Sequence, residues 1–168
     1  MSDAPATPTE GERRALSGLE STGIAFDVTR HGPVRSLAEA AEARGVDPAG
    51  IVKTIVVRRG HDDFLFVLVP GDRTISWPKL RALLGVSRLS MPDAATAKDV
   101  TGYERGTITP FGSLVAWPVV ADSRVSARTV SIGGGAHGVA ASVDGADLVQ
   151  ALDATVADVT EPEAPATS

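Results

Sequence analysis

Short apolar runs alternate along this chain with mixed segments that close on glycine. Glu12–Ser21 reads as a helix, with Thr9 and Glu12 at capping-box spacing and Gly23 near its end. Ala25–Thr29 reads as a short strand. Ser36-Leu37-Ala38-Glu39 is a second capping box, opening an Ala-rich helix that stops at Gly45. The runs Val52–Arg58 and Phe64–Val69, joined by Arg59-Gly60-His61-Asp62-Asp63, predict a hairpin. Trp77–Leu84 predicts a helix with Ser76 as its N-cap, Pro78 in its first turn and Gly85 at its end. Ser87–Ser90 reads as a strand and Asp93–Val100 as a helix, followed by a glycine-punctuated loop, Gly102–Gly112. Ala116–Val120, Thr129–Ile132 and Val139–Val143 read as later strands, Asp144–Leu152 as a helix and Thr155–Val159 as a final strand. Strands and helices mix without a regular β-α-β alternation, which predicts an α+β class. One domain is expected over residues 11–160, between disordered tails at 1–10 and 161–168.

One position breaks the apolar pattern in an informative way. Lys53 interrupts Ile51-Val52-Lys53-Thr54-Ile55-Val56-Val57, and strand alternation places it on the face of Ile51, Ile55 and Val57. An ammonium there snorkels to water, finds a partner, or serves a pocket that uses it. An edge strand would employ such a lysine against sheet-to-sheet pairing. The neighbouring run Phe64–Val69 instead predicts a central strand, where the lysine can anchor a ligand carbonyl or phosphate.

Composition narrows the chemistry. The chain has 168 residues, 43% hydrophobic and 22% charged, as expected of a globular domain with a substantial core. With aromatics at 4%, that core must be mostly Val, Leu, Ile and Ala. No cysteine is present, which excludes a disulfide, a thiolate nucleophile and a cysteine-bound metal. No signal-like opening and no bilayer-length apolar run are seen, so a cytoplasmic address is expected, with no membrane partner. The net charge of −5 is unevenly spread: residues 21–143 hold eleven acids against fourteen bases, while 144–168 hold six acids and no base. A mildly basic body permits contact with a few phosphates but does not predict a broad DNA-binding surface.

Several motif matches fail on context. Gly133-x-Gly135-x-x-Gly138 fits a dinucleotide fingerprint, but the following Val139–Val143 reads as a strand where a helix is required. Ser76-Trp77-Pro78-Lys79 fits S-x-x-K without the accompanying elements of that enzyme class, and a helix cap explains Ser76. His31, His61 and His137 show no metal-ligand spacing, so no metal or other cofactor is expected. There is neither a Gly-x-Ser-x-Gly elbow nor a P-loop. What survives is the loop Thr101–Gly112, where three glycines allow close backbone approach and Pro110 stiffens the middle. Such a loop can serve as a plain turn, or aim N–H and C=O groups at a small ligand.

Taken in order, Val52-Lys53-Thr54-Ile55, Gly71-Asp72, Lys79-Leu80, Thr101-Gly102-Tyr103 and Gly106-x-x-x-Pro110-Phe111-Gly112 resemble the YbaK/prolyl-tRNA-synthetase-associated family of trans-acting aminoacyl-tRNA deacylases. The resemblance runs from about Gly23 to Thr160. It implies a mixed, barrel-like β-sheet flanked by helices. It also implies that Lys53 is the family's strand lysine, followed by Thr54, and that Gly106–Pro110 is its Gly-x-x-x-Pro loop, with Thr109, Phe111 and Gly112 as further substrate contacts. His31, in Arg30-His31-Gly32-Pro33, matches a pocket-facing Tyr or His. Gly133 and Gly135 fall in the family's small-residue turn; Gly133 stands where some members carry a hydroxyl, with Ser131 nearby.

The implied activity is hydrolysis of the ester of a mischarged tRNA, with the tRNA 3′ end as partner and a synthetase as a further candidate partner. An activated ester needs only a positioned water and a stabilised carbonyl oxygen. Lys53 would neutralise charge on the terminal phosphate or on the developing oxyanion, and the loop would hold the α-amino group. Two other readings stay open: a non-catalytic module that binds an aminoacyl-nucleotide, the tRNA 3′ end or a synthetase, and an enzyme using Lys53 as a Schiff-base nucleophile.

Overall fold

Among the described residues, nine strands form three sheets, with five α-helices around them. The computed structural model describes residues 8–163. In chain order the elements are α1 (Glu10–Thr22), β1 (Phe26–Arg30), α2 (Leu37–Arg44), β2 (Val52–Gly60), β3 (Asp63–Pro70), β4 (Arg73–Ile75) and α3 (Trp77–Leu84). There follow α4 (Ala94–Thr101), β5 (Val119–Asp122), β6 (Thr129–Gly133), β7 (Val139–Asp144), α5 (Gly145–Ala151), β8 (Thr155–Ala157) and β9 (Thr160–Pro162). No helix of the described residues is long and apolar enough to cross a membrane.

The capping signals act as the sequence predicts. Thr9 Oγ1 accepts from the Glu12 N–H at 3.1 Å, and Ser36 Oγ accepts from the Glu39 N–H at 3.1 Å. Glycines in the left-handed region close α1, α2, α3 and α4 at Gly23, Gly45, Gly85 and Gly102. Ser76 stands at the N-cap of α3, but its side chain makes no capping hydrogen bond.

The larger sheet has the order β2-β3-β5-β8, with β2 antiparallel to β3 and the other pairs parallel. The second is an antiparallel β1-β7-β6 sheet, and β4 pairs with β9 as a short ribbon. The α+β class holds. Among the described residues the sheets do not close into a barrel; where β2 packs against β6, the isolated bridge Ile51–Ser131 joins them.

Strand β3 is buried on both faces, which explains its unbroken apolar run. Phe64, Phe66 and Leu68 enter a core with Val52, Val56, Val130, Ile132, Ala141 and Val143. Leu65, Val67 and Val69 face the other way, onto Val57, Ile75, Leu80 and Val159.

Several expectations need correction. Strand β2 is an outer strand of its sheet, not a central one, because the parallel β5 takes the far side of β3. The strand expected at Ala116–Val120 begins at Val119; before it, Trp117 Nε1 is held by the Val100 carbonyl at 2.8 Å. Ser87–Ser90 forms no strand and touches β2 through a single Arg58–Ser90 bridge. The final strand breaks into β8 and β9, and Glu161 and Pro162, expected in a disordered tail, pair with Thr74 and Arg73. At the other end Thr9 and Glu10 likewise belong to the start of α1, whereas 1–7 and 164–168 lie outside the described residues.

Candidate functional site

Alternation along β2 sends Lys53 and Thr54 to opposite faces, yet both line one cavity at the strand's start. Lys53 is half-buried and its Nζ donates to the Arg73 carbonyl at 2.7 Å. That carbonyl is anchored from below. Arg73 Nε donates to Thr160 Oγ1 at 2.7 Å, and Thr160 Oγ1 donates to the fully buried Asp122 at 2.9 Å. Arg124 and the Val159 N–H complete the Asp122 carboxylate's partners. An ammonium has three donors, so Lys53 keeps two for other acceptors.

On the opposite face the Thr54 hydroxyl is buried and has no hydrogen-bond partner among the described residues. The Ser131 hydroxyl, beside the Ile51–Ser131 bridge, is in the same condition. The cavity at Lys53 and Thr54 measures about 240 Å³ and is closed by Arg44, Gly106, Ile108 and Gly133. A Cβ on Gly133 would lie 3.2 Å from the Ile108 carbonyl oxygen, so this position sets the gap between β6 and the loop.

A second cavity of about 630 Å³ adjoins it, with Arg44 and Gly106 common to both walls. His31, Val34, His137 and Val139 line its remainder. The His31 N–H donates to the Gly138 carbonyl at 2.9 Å, which fixes the backbone at the cavity rim. Its ring Nδ1 lies 2.8 Å from the Gly32 carbonyl, and Arg44 Nε donates to its Nε2 at 3.4 Å. Since a guanidinium can only donate, Nε2 is the acceptor in this contact and Nδ1 is the atom facing the Gly32 carbonyl.

Arg44 was not singled out from the sequence, although the signal was there. Leu37, Ala40, Ala41 and Arg44 form one stripe at i, i+3, i+4 and i+7, and an arginine ends an otherwise apolar face. It is half-buried, and burial lowers its pKa from the usual arginine value. No carboxylate among the described residues pairs with it. A desolvated, unpaired guanidinium on the wall between two cavities is suited to an anion.

The loop after α4 reaches the cavity only through Gly106 and Ile108. Thr109 is fully buried and its hydroxyl accepts from the Phe111 N–H at 3.3 Å; Phe111 belongs to the core. Pro110 is half-buried and does not line the cavity. Gly112 packs on α1, where a Cβ would collide with the Arg14 carbonyl. Gly135 is equally tight against the Gly11 carbonyl. The structure thus gathers Lys53, Thr54, Gly106 and Gly133 at one cavity and His31 at the next, and leaves Thr109, Pro110, Phe111, Gly112, Ser131 and Gly135 off both linings.

What holds the loop is a clamp. Arg14 donates to the Gly112 carbonyl at 3.1 Å and the Thr101 carbonyl at 3.3 Å, and its guanidinium stacks 4.6 Å from the Tyr103 ring centroid. The Tyr103 hydroxyl donates to the Phe111 carbonyl at 2.6 Å, and burial raises its pKa. No group of three His, Asp or Glu side chains among the described residues is placed to hold a metal ion.

The model of the aminoacyl-tRNA editing domain matches residues 31–151. A proline–tRNA ligase of Pelotomaculum thermopropionicum is 31% identical over 126 residues, which are 75% of this chain and 20% of the ligase. One from Thermosipho africanus is 38% identical over 80 residues, 48% of this chain and 14% of that ligase. The chain therefore spans a fifth or less of those relatives' length. A crystal structure of a protein proposed as a trans-editing enzyme for prolyl-tRNA synthetase superposes with a TM-score of 0.84 at 25% identity, covering 92% of this chain and 99% of that one.

Proposed function

The chain belongs to the aminoacyl-tRNA editing domain family, and from that premise we propose that it hydrolyses, in trans, the ester of a tRNA bearing the wrong amino acid. The observation that carries this reading is the pair of adjoining cavities with Arg44 on their shared wall. An aminoacyl ester at a 3′-terminal adenosine has two unequal parts joined at the reacting carbonyl. The smaller cavity suits a small amino-acid residue and the larger one the adenosine. Arg44 takes the terminal phosphodiester through its fork of donors.

In this reading a water molecule attacks the ester carbonyl carbon. Negative charge gathers on the carbonyl oxygen, the bond to the ribose oxygen breaks, and that oxygen takes a proton, leaving a free amino acid and an intact tRNA. Lys53 supplies positive charge near the developing oxyanion, with the Arg73 carbonyl fixing its direction. The Thr54 hydroxyl, buried at the same cavity and without a partner among the described residues, would contribute a hydrogen bond to a substrate that displaces its neighbours. Since the step relies on positioning and charge, no covalent intermediate is required and the reaction is metal-independent. Similarity to proline–tRNA ligases supports a tRNA of proline carrying a smaller or similar residue as the substrate. A synthetase that charges this tRNA is the natural partner.

The test is release of radiolabelled amino acid from a panel of correctly and wrongly charged tRNAs. Rapid loss from one mischarged species supports the reading and names the substrate. Background rates on every species overturn it. A second reading, binding without hydrolysis, draws on the Lys53–Arg73 contact, which also satisfies Lys53 structurally; tight binding of a charged tRNA that stays intact would favour it.

A further inference from the structure

At the other end of β2 lies a feature the catalytic reading does not use. Arg58 and Arg59 of β2, Arg81 of α3 and Arg88 beyond it line a groove of about 460 Å³, with Ser87 and Ser90 between them and no acid among the described residues of the lining. The segment Ser87–Ser90 is fixed to the open edge of β2: the Arg58 N–H donates to the Ser90 carbonyl at 2.7 Å and the Ser90 N–H returns to Arg58 at 3.1 Å. The groove floor is therefore built, not a chance meeting of side chains.

The four arginines differ in how far they are spent. Arg59 forms a two-point pair with Asp63 at 2.9 and 3.1 Å. Arg58 lies over the Phe64 ring, 5.3 Å from its centroid, and its buried Nε has no partner among the described residues. Its field reaches Asp93, whose carboxyl is held below its usual range chiefly by the Thr96 N–H. Neither Arg81 nor Arg88 has a carboxylate within ion-pair distance among the described residues. In a chain of net charge −5, a groove walled by forked cations concentrates positive potential in one place.

We propose that this groove holds the phosphate backbone of the RNA helix that adjoins the single-stranded end seated in the cavities. The proposal rests on the editing reading for its partner. Arg58 stands five residues from Lys53 along one strand, about 17 Å at a rise of ~3.4 Å per residue. Cavity and groove lie at opposite ends of one strand, so the single-stranded end would cross from one to the other before the helix begins. The guanidinium fork suits phosphate oxygens, and Ser87 and Ser90 add neutral donors.

The experiment uses the full chain, uncharged tRNA and the trinucleotide CCA as probes, and the double variant R81E/R88E, with R81Q/R88Q as a milder companion. Folding of both is checked by thermal denaturation. The expected result is at least about tenfold weaker tRNA binding in R81E/R88E near 50 mM salt. The slope of log K against log salt should fall by about two, with a smaller loss in R81Q/R88Q and unchanged binding of CCA. Unchanged tRNA affinity and slope overturn the proposal, as does a loss that falls equally on CCA. Because binding is read, the outcomes separate cleanly. Hydrolysis with an indifferent groove removes this proposal and leaves the editing reading. A sensitive groove without hydrolysis of any ester does the reverse.

Discussion

Arg44 Nε donates to His31 Nε2 at 3.4 Å, and through this contact the last turn of α2 and the loop after β1 share one edge of the candidate site. An imidazole carries no negative charge, so this contact neutralises none of the guanidinium's charge. Arg44 is thus left in demand of an anion. Arg44→Ala should raise KM for charged tRNA by about ten- to a hundredfold, the worth of one or two charge-assisted hydrogen bonds, with a smaller change in kcat. Arg44→Leu, which completes the apolar stripe of α2, should match that loss of binding while leaving Tm equal or higher.

Gly133 governs what the smaller cavity admits. Gly133→Ala places a methyl 3.2 Å from the Ile108 carbonyl and narrows the gap between β6 and the loop. Deacylation of esters of the smallest amino acids should persist, while each larger residue loses about ten- to two-hundredfold in kcat/KM per excess methylene. Competing hydrolysis of alanyl, seryl and prolyl esters by the variant checks this.

The loop depends on its clamp. Tyr103→Phe removes the hydrogen bond to the Phe111 carbonyl and should cost about 1–2 kcal/mol of stability. Amide exchange over residues 102–112 should speed up, with a drop in kcat larger than any change in KM.

How much of this could be read in advance followed the range of the interaction. The two hydroxyl N-caps, Thr9 to the Glu12 N–H and Ser36 to the Glu39 N–H, were legible because their partners lie three residues apart, although neither glutamate side chain returns to its cap. The β2–β3 hairpin was legible for the same reason. That β2 lies at the sheet's edge was not, since it depends on β5, some fifty residues away, choosing the far side of β3. Glycines announced close approach correctly but did not say what approaches. Gly112 and Gly135 look like ligand-loop residues and in fact receive the backbone of α1. Lys53 stood out because it broke a strand's pattern. Arg44 broke a helix's pattern just as clearly, but so near the C-terminus that it resembled an ordinary basic residue complementing the helix dipole.

The β4–β9 ribbon beneath Lys53 should be sensitive to acid. Asp158 is held at a pKa of about 2, first by hydrogen bonding to Lys79 and then to Arg124. A carboxylate with its folded pKa depressed stabilises the fold above its unfolded value near 3.9, and that contribution fades as pH falls toward 2. Urea unfolding of wild type and Asp158→Asn should therefore differ at pH 5 and above, and converge by about pH 2. The difference should be small, as Asp158 is exposed, and should shrink with salt.

Lys53 remains the residue on which the account turns, and its decisive measurement is single-turnover deacylation of the preferred mischarged tRNA by wild type and Lys53→Ala, with Tm and circular dichroism recorded for both. The account predicts a folded variant that retains tRNA binding and loses at least about a hundredfold in rate, the scale of one removed oxyanion-stabilising donor. A variant that deacylates at the wild-type rate, with only its stability reduced, would make Lys53 a structural tie to Arg73 and contradict the mechanism.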